Sequence, residues 1–170
     1  MKKSLALLMV LILLFAVACA STAPHRKSIS LPLRFTANLK GTSSEFNVII
    51  TEDECIIGFD ENHPLYGTEL RFDSSGGRAT VGDFSREVDL DIFPAQKALL
   101  EAFRGISSGN VTKTEEGNQT RYTIDKMTIM VYYDEDNKNI IGIETEENGR
   151  RFAFDIAKLE AYEIQSDSAG

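Results

Sequence analysis

Few side chains in this 170-residue chain suit chemistry, and they are scattered: two cysteines and two histidines among 26 acidic and 18 basic residues. A nucleophilic triad needs a histidine placed by the fold. His25 lies in a polar stretch near the front, and His63 lies in a turn, Glu61-Asn62-His63-Pro64. Metal sites gather His, Cys, Asp and Glu at ligand spacing, and no such set is present here. The acidic turn Asp134-Glu135-Asp136 lacks the glycine and terminal glutamate of a calcium loop, so it reads as a solvated turn. Gly76-Gly77 reads as a hairpin turn rather than a phosphate loop. A carboxylate pair for glycoside hydrolysis is defined by separation in space, and abundant acids do not define one. The residues point to no catalytic centre, cofactor or metal.

Cys19 is different, because of what precedes it. Lys2 and Lys3 open the chain, Leu5 to Val17 is nearly unbroken apolar sequence, and Ala16-Val17-Ala18 leads into the thiol. Charge, apolar run and small residues are the three parts of an export signal. The cysteine adds the acceptor that a lipoprotein signal needs, since acylation precedes cleavage. The apolar run is shorter than the roughly 20 residues of a spanning helix. Lipidation at Cys19 is therefore expected, with the chain held to a cell membrane on its extracytoplasmic face. Cys55 is then left without an intrachain partner. It sits in Cys55-Ile56-Ile57-Gly58-Phe59, which reads as a buried strand, and a small core hydrophobe is the expected role.

Loss of the two lysines with the signal would take the formal charge from -8 to -10. That balance argues against nucleic acid, whose phosphates need Lys and Arg. It argues equally against electrostatic docking on anionic head groups. The acyl chains must supply the membrane attachment.

The elements that would position a site are mostly strands. Leu33, Phe35, Ala37 and Leu39 alternate with polar residues. So do Phe46, Val48 and Ile50; Cys55, Ile57 and Phe59; Leu70 and Phe72; Ala79 and Val81; Ile141 and Ile143; and Phe152, Phe154 and Ile156. A period of two places apolar side chains on one face of an antiparallel sheet whose other face is wet. Asn148-Gly149 is a strong hairpin signal. Met127 to Tyr133 carries apolar residues on both faces, so it is expected to be covered on both sides or to meet something outside the domain with its second face. Phe84, Val88 and Leu90 alternate with Arg86 on their face, which predicts a bulge or a sheet edge. One segment changes period: Ile92, Ala95, Leu99, Phe103 and Ile106 recur at helical spacing. Pro94 suits the first turn, Asp91 the cap and Gly105 the end, so the spacing predicts a helix over 94–104.

The chain thus divides into a signal peptide (1–18), a lipidated tether (19–30), one domain (31–166) and a disordered tail (167–170). The domain is mainly β with α+β character: a curved antiparallel sheet of about ten strands and one covering helix. Strands spaced roughly 4.8 Å apart make such a sheet nearly 50 Å across, whereas a helix is about 10 to 12 Å wide. The helix cannot cover the apolar face. The sheet must curl on itself or leave an apolar concavity, the kind of surface where ligands sit. Phe35, Val48, Ile57, Phe72, Leu99, Phe103, Phe152 and Phe154 are the candidate cavity-lining residues.

Two stretches carry a resemblance: Phe35-Thr36-Ala37-Asn38-Leu39-Lys40-Gly41, and Pro64-Leu65-Tyr66-Gly67-Thr68 leading into Leu70-Arg71-Phe72-Asp73. With the strand order and helix placement from Leu31 to Gln165, they resemble the LolA/LolB-like lipoprotein-carrier superfamily. That resemblance implies an antiparallel half-barrel over a hydrophobic cavity. Gram-positive lipoproteins that look like this fold include some tied to sporulation and germination, where the domain supports a partner enzyme. Two functions follow as expectations. One is a non-catalytic lipoprotein that holds an acyl chain or apolar peptide in the concavity. The other is an interaction module that anchors or stabilises a cell-envelope or sporulation and germination enzyme, its cavity a filled core.

Overall fold

The computed structural model describes Arg26 and residues 28–43, 45–136 and 138–163. The signal segment, Cys19, His25 and residues 164–170 lie outside the described residues.

Six strands come first: β1 (Leu33–Leu39), β2 (Glu45–Ile50), β3 (Cys55–Phe59), β4 (Thr68–Asp73), β5 (Gly76–Val81) and β6 (Phe84–Val88). A single 3-10 turn (Leu90–Ile92) leads into helix α1 (Pro94–Ser108). Five strands follow: β7 (Thr112–Glu116), β8 (Gln119–Ile124), β9 (Met127–Tyr133), β10 (Ile140–Glu147) and β11 (Arg150–Ala161). They form one 11-stranded sheet in the order β6-β5-β4-β3-β2-β1-β11-β10-β9-β8-β7. The predicted architecture is present, with one strand more than expected. The sheet is two meanders joined where the first strand pairs with the last, Leu33 opposite Ala161 through Leu39 opposite Phe154. It does not close, and β6 and β7 are its two edges. Since α1 connects these edges in sequence, it must carry the chain from one rim of the curved sheet to the other.

The alternation that defines the strands also defines the core. Phe35, Phe46, Val48, Ile50, Ile57 and Phe154 are buried together with the α1 residues Leu99, Leu100, Ala102 and Phe103. Every core residue among those described lies between Ile29 and Leu159, so a chain begun at Ala20 keeps all of it. Asn148 and Gly149 make the β10–β11 turn with φ of 50° and 77°, the left-handed pair that a two-residue hairpin requires.

Bulges alter the alternation in two places. In β11 the register against β1 shifts between Arg34 and Thr36, and Lys158 takes a φ of 54°. The extra residue lets both Ile156 and Leu159, three apart, face the core. Between β9 and β10 the register shifts at Ile140 and Gly142. Ile140 and Ile143 are buried while Ile141 is 47% exposed. The expected inward pair Ile141 and Ile143 is therefore corrected to Ile140 and Ile143.

The helix also differs from its predicted bounds. It runs four residues past Arg104 to Ser108, and Gly109, at φ 77°, is the left-handed cap. Gly105 is an interior packing residue: a Cβ there would lie 2.2 Å from Ile124 Cδ1. Asp91 does not cap α1, whose N-cap is Phe93 with no side-chain bond. It lies inside the 3-10 turn capped by Asp89 and pairs with Lys97 at 2.5 Å. Ile92 consequently leaves the helical stripe and is 64% exposed. β9 is sealed on one face and half-buried on the other. Met127, Ile129, Val131 and Tyr133 are buried. On the other face Tyr132 donates to Glu144 and Met130 Sδ accepts from Arg121.

The segment read as the end of the tether packs on the domain. Ile29 joins the core and the Leu31 amide donates to Ser107 Oγ at 3.2 Å. The Arg26 guanidinium donates to the Gln119 and Gly117 carbonyls and to Thr120 Oγ1, and lies over the Tyr133 ring. Among the described residues, no helix is long and apolar enough to cross a membrane.

Candidate functional site

The middle of the concave face is filled. The Phe35 and Phe103 rings stack with centroids 4.5 Å apart, and Phe46 meets Phe154 edge-on at 6.3 Å. Val48, Ile57 and Leu99 are buried around them. Six of the eight candidate lining residues thus pack against each other and against α1. Phe72 and Phe152 line two clefts, one on either side of the helix.

The larger cleft, about 720 Å³, opens between the β4–β6 edge and the second half of α1. Its apolar wall is Phe72, Val88, Leu90 and Leu100. Phe72 reaches it because Gly77 lies opposite on β5. A Cβ on Gly77 would lie 2.6 Å from the Phe72 ring and 2.3 Å from the Val88 carbonyl oxygen. Asp73, Glu87, Asp89, Arg71, Arg78 and Arg104 supply the polar part of the lining. Two of these acids are engaged locally. Asp73 accepts from the amide and hydroxyl of Ser75, bonds that hold its carboxyl below the usual range. Asp89 accepts from the Asp91 amide at 2.9 Å. Arg71 is shared between Glu54 and Glu69. Arg104 is the outlier: its Nε and Nη2 are buried and have no hydrogen-bond partner.

The smaller cleft, about 540 Å³, lies between the start of α1 and the β10–β11 hairpin, with Phe152, Thr145, Glu101 and Glu147 in its wall. Burial raises the Glu101 carboxyl above its ordinary range, against the pull of Lys97 and with the push of Glu147. Phe152 is half-buried here rather than sealed in the core.

The reactive side chains are occupied structurally. Cys55 is buried in the core, and loss of solvent pushes its thiol up to about 12, against the attraction of Arg104. His63 stacks on Phe59 at 4.4 Å and its Nδ1 accepts from the Leu65 amide. Asp134 accepts from the Lys138 and Asn139 amides and from Asn139 Nδ2, which holds a turn together. Among the described residues no group of three or more His, Cys, Asp and Glu is placed to hold a metal ion.

No protein-family model matches the chain, and no curated protein does. Among solved structures it is similar to the crystal structure of a LolA superfamily protein from Nitrosomonas europaea. The two are 9% identical, with 80% of this chain and 90% of that chain covered and a TM-score of 0.38.

The site residue that sequence reasoning missed is Arg104. It lies one position past the apolar Phe103 and looks like an ordinary polar-face residue. Its isolation depends on where β4, β5 and β6 turn, which no local pattern records. The hairpin turn expected at Gly76-Gly77 is corrected to Ser74-Ser75, with both glycines paired in β5; once Gly77 is placed inside a strand it marks a close approach, here of the Phe72 ring.

Proposed function

We propose that this chain is a membrane-anchored extracytoplasmic lipoprotein, acylated at Cys19, whose domain binds a hydrophobic ligand without converting it. The ligand class is an acyl chain or an apolar peptide. The anchor is supported by the apolar run that ends at Cys19. The binding reading is carried by one observation, the cleft of about 720 Å³ where α1 stops covering the sheet. Its size falls within the roughly 300–1,000 Å³ of ligand pockets, and its mixed apolar and polar wall is of the kind that orients an amphipathic guest.

The test is titration of the chain begun at Ala20 with a fluorescent fatty acid under native conditions. Saturable binding to a single site per chain, displaced by unlabelled lipid, is the expected result. No binding by a protein that melts cooperatively would overturn it.

A second reading has its own support. Val81 on β5 pairs with Phe84 on the edge strand β6, and Tyr66 lies two residues before Thr68, the partner of Val81 on β4. All three are exposed, Phe84 by 84%. Clustered exposed apolar residues on an edge strand suit contact with another protein. This patch would serve an interaction module that anchors or stabilises an envelope or sporulation and germination enzyme.

A further inference from the structure

Arg104 poses an energetic problem that the rest of the fold does not solve. A guanidinium carries five N–H donors and stays charged in proteins. Burying such a group without partners is costly, because the water it loses is not replaced. Arg26, the cation at the other rim, has carbonyls, a hydroxyl and an aromatic ring around it, and of its nitrogens Nε alone is buried without a partner. Arg104, a half-buried residue, has none of these among the described residues, and its buried Nε and Nη2 lack any acceptor. No carboxylate among the described residues pairs with it. Of the acids in the cleft wall, Asp73 is bound to Ser75 and Asp89 to the Asp91 amide, and Glu87 lies opposite Arg78 on the neighbouring strand. Arg104 therefore lines the cleft as a cation with unmatched donors, together with Leu100 on the same helix and with Phe72, Val88 and Leu90.

We infer that Arg104 is a headgroup receptor, and that the cleft takes an anionic single-chain amphiphile. The carboxylate or phosphate of the ligand satisfies the guanidinium, and its alkyl chain lies along Phe72, Val88, Leu90 and Leu100. This rests on the reading that the cleft holds an apolar ligand, and adds to it the charge of the ligand and the residue that reads that charge. The arrangement explains why an arginine, and not another leucine, occupies this turn of α1. A planar fork matches a two-oxygen acid better than a point charge does.

The experiment compares a fatty acid with the fatty alcohol of equal chain length, by calorimetry, on the chain begun at Ala20. The acid is expected to bind about ten- to a hundredfold more tightly than the alcohol, the worth of hydrogen bonds to a charged group. Each added methylene should tighten both by roughly fourfold while the cleft has room. Arg104→Met, which keeps the apolar stem, should remove the preference for the acid and leave alcohol binding in place. The wild-type comparison stands even if that variant fails to fold. Equal, saturable binding of acid and alcohol by the wild type overturns the role of Arg104 and leaves the apolar site standing. Binding of neither overturns the site itself. Acetate or inorganic phosphate competing as well as the long-chain acid identifies a small free anion as the guest, and overturns the amphiphile.

Discussion

At the scale of the residue, burial decides what the two ordinary sources of reactivity become. Cys55 loses water to the core, and its thiol is pushed up to about 12. In the unfolded chain a thiol ionises near about 8.5. Between those values the unfolded state releases a proton that the folded state keeps, so stability must fall as pH rises across that window. Urea midpoints measured at pH 7 and pH 10 should show this loss, and Cys55→Ala should flatten it. A thiol reagent should label Cys55 only in denaturant; labelling of the native protein at neutral pH would contradict its burial. Phe154 tests the core in another way. It is fully buried against Phe46, and Phe154→Ala should cost about 3–5 kcal/mol in a denaturant melt. These core faces were readable from the sequence because a period of two needs no tertiary knowledge. The role of Arg104 was not, because an unpaired charge is defined by what fails to come near it.

Among the elements, the strands and the helix differ in how far local sequence defined them. Asn148-Gly149 specified its hairpin, since both residues accept the left-handed backbone that the turn demands. The end of α1 was misplaced because glycine serves two purposes that look alike in sequence. Gly109 caps the helix, while Gly105 lets it approach β8. A substitution separates them. Gly105→Ala should improve intrinsic helix propensity by about 1 kcal/mol, but its Cβ displaces the Cδ1 end of the half-buried Ile124 side chain, so the net gain should fall short of that figure. A melt in which Gly105→Ala gains the full helix-propensity increment would refute the close approach. The bulge at Ile141 was hidden for a related reason. Ile140, Ile141 and Ile143 offer two possible alternations, and only the pairing with β9 selects one.

For the whole molecule, the first question is attachment. Cys19→Ser should abolish incorporation of a labelled fatty acid and leave the chain unprocessed or released. Equal labelling of wild type and variant would refute acylation at that residue. The second question is reach, and it depends on Arg26. The sequence reading gave the tether everything up to Ser30, but the domain takes hold of the chain at Arg26, through two carbonyls, a hydroxyl and the Tyr133 ring. With the lipid on Cys19, seven peptide steps remain, or about 25 Å when fully extended. The domain would then be confined to a thin layer above the bilayer. It could collect amphiphiles leaving that membrane or meet proteins seated in it, and could not cross a wider compartment without letting go of Arg26.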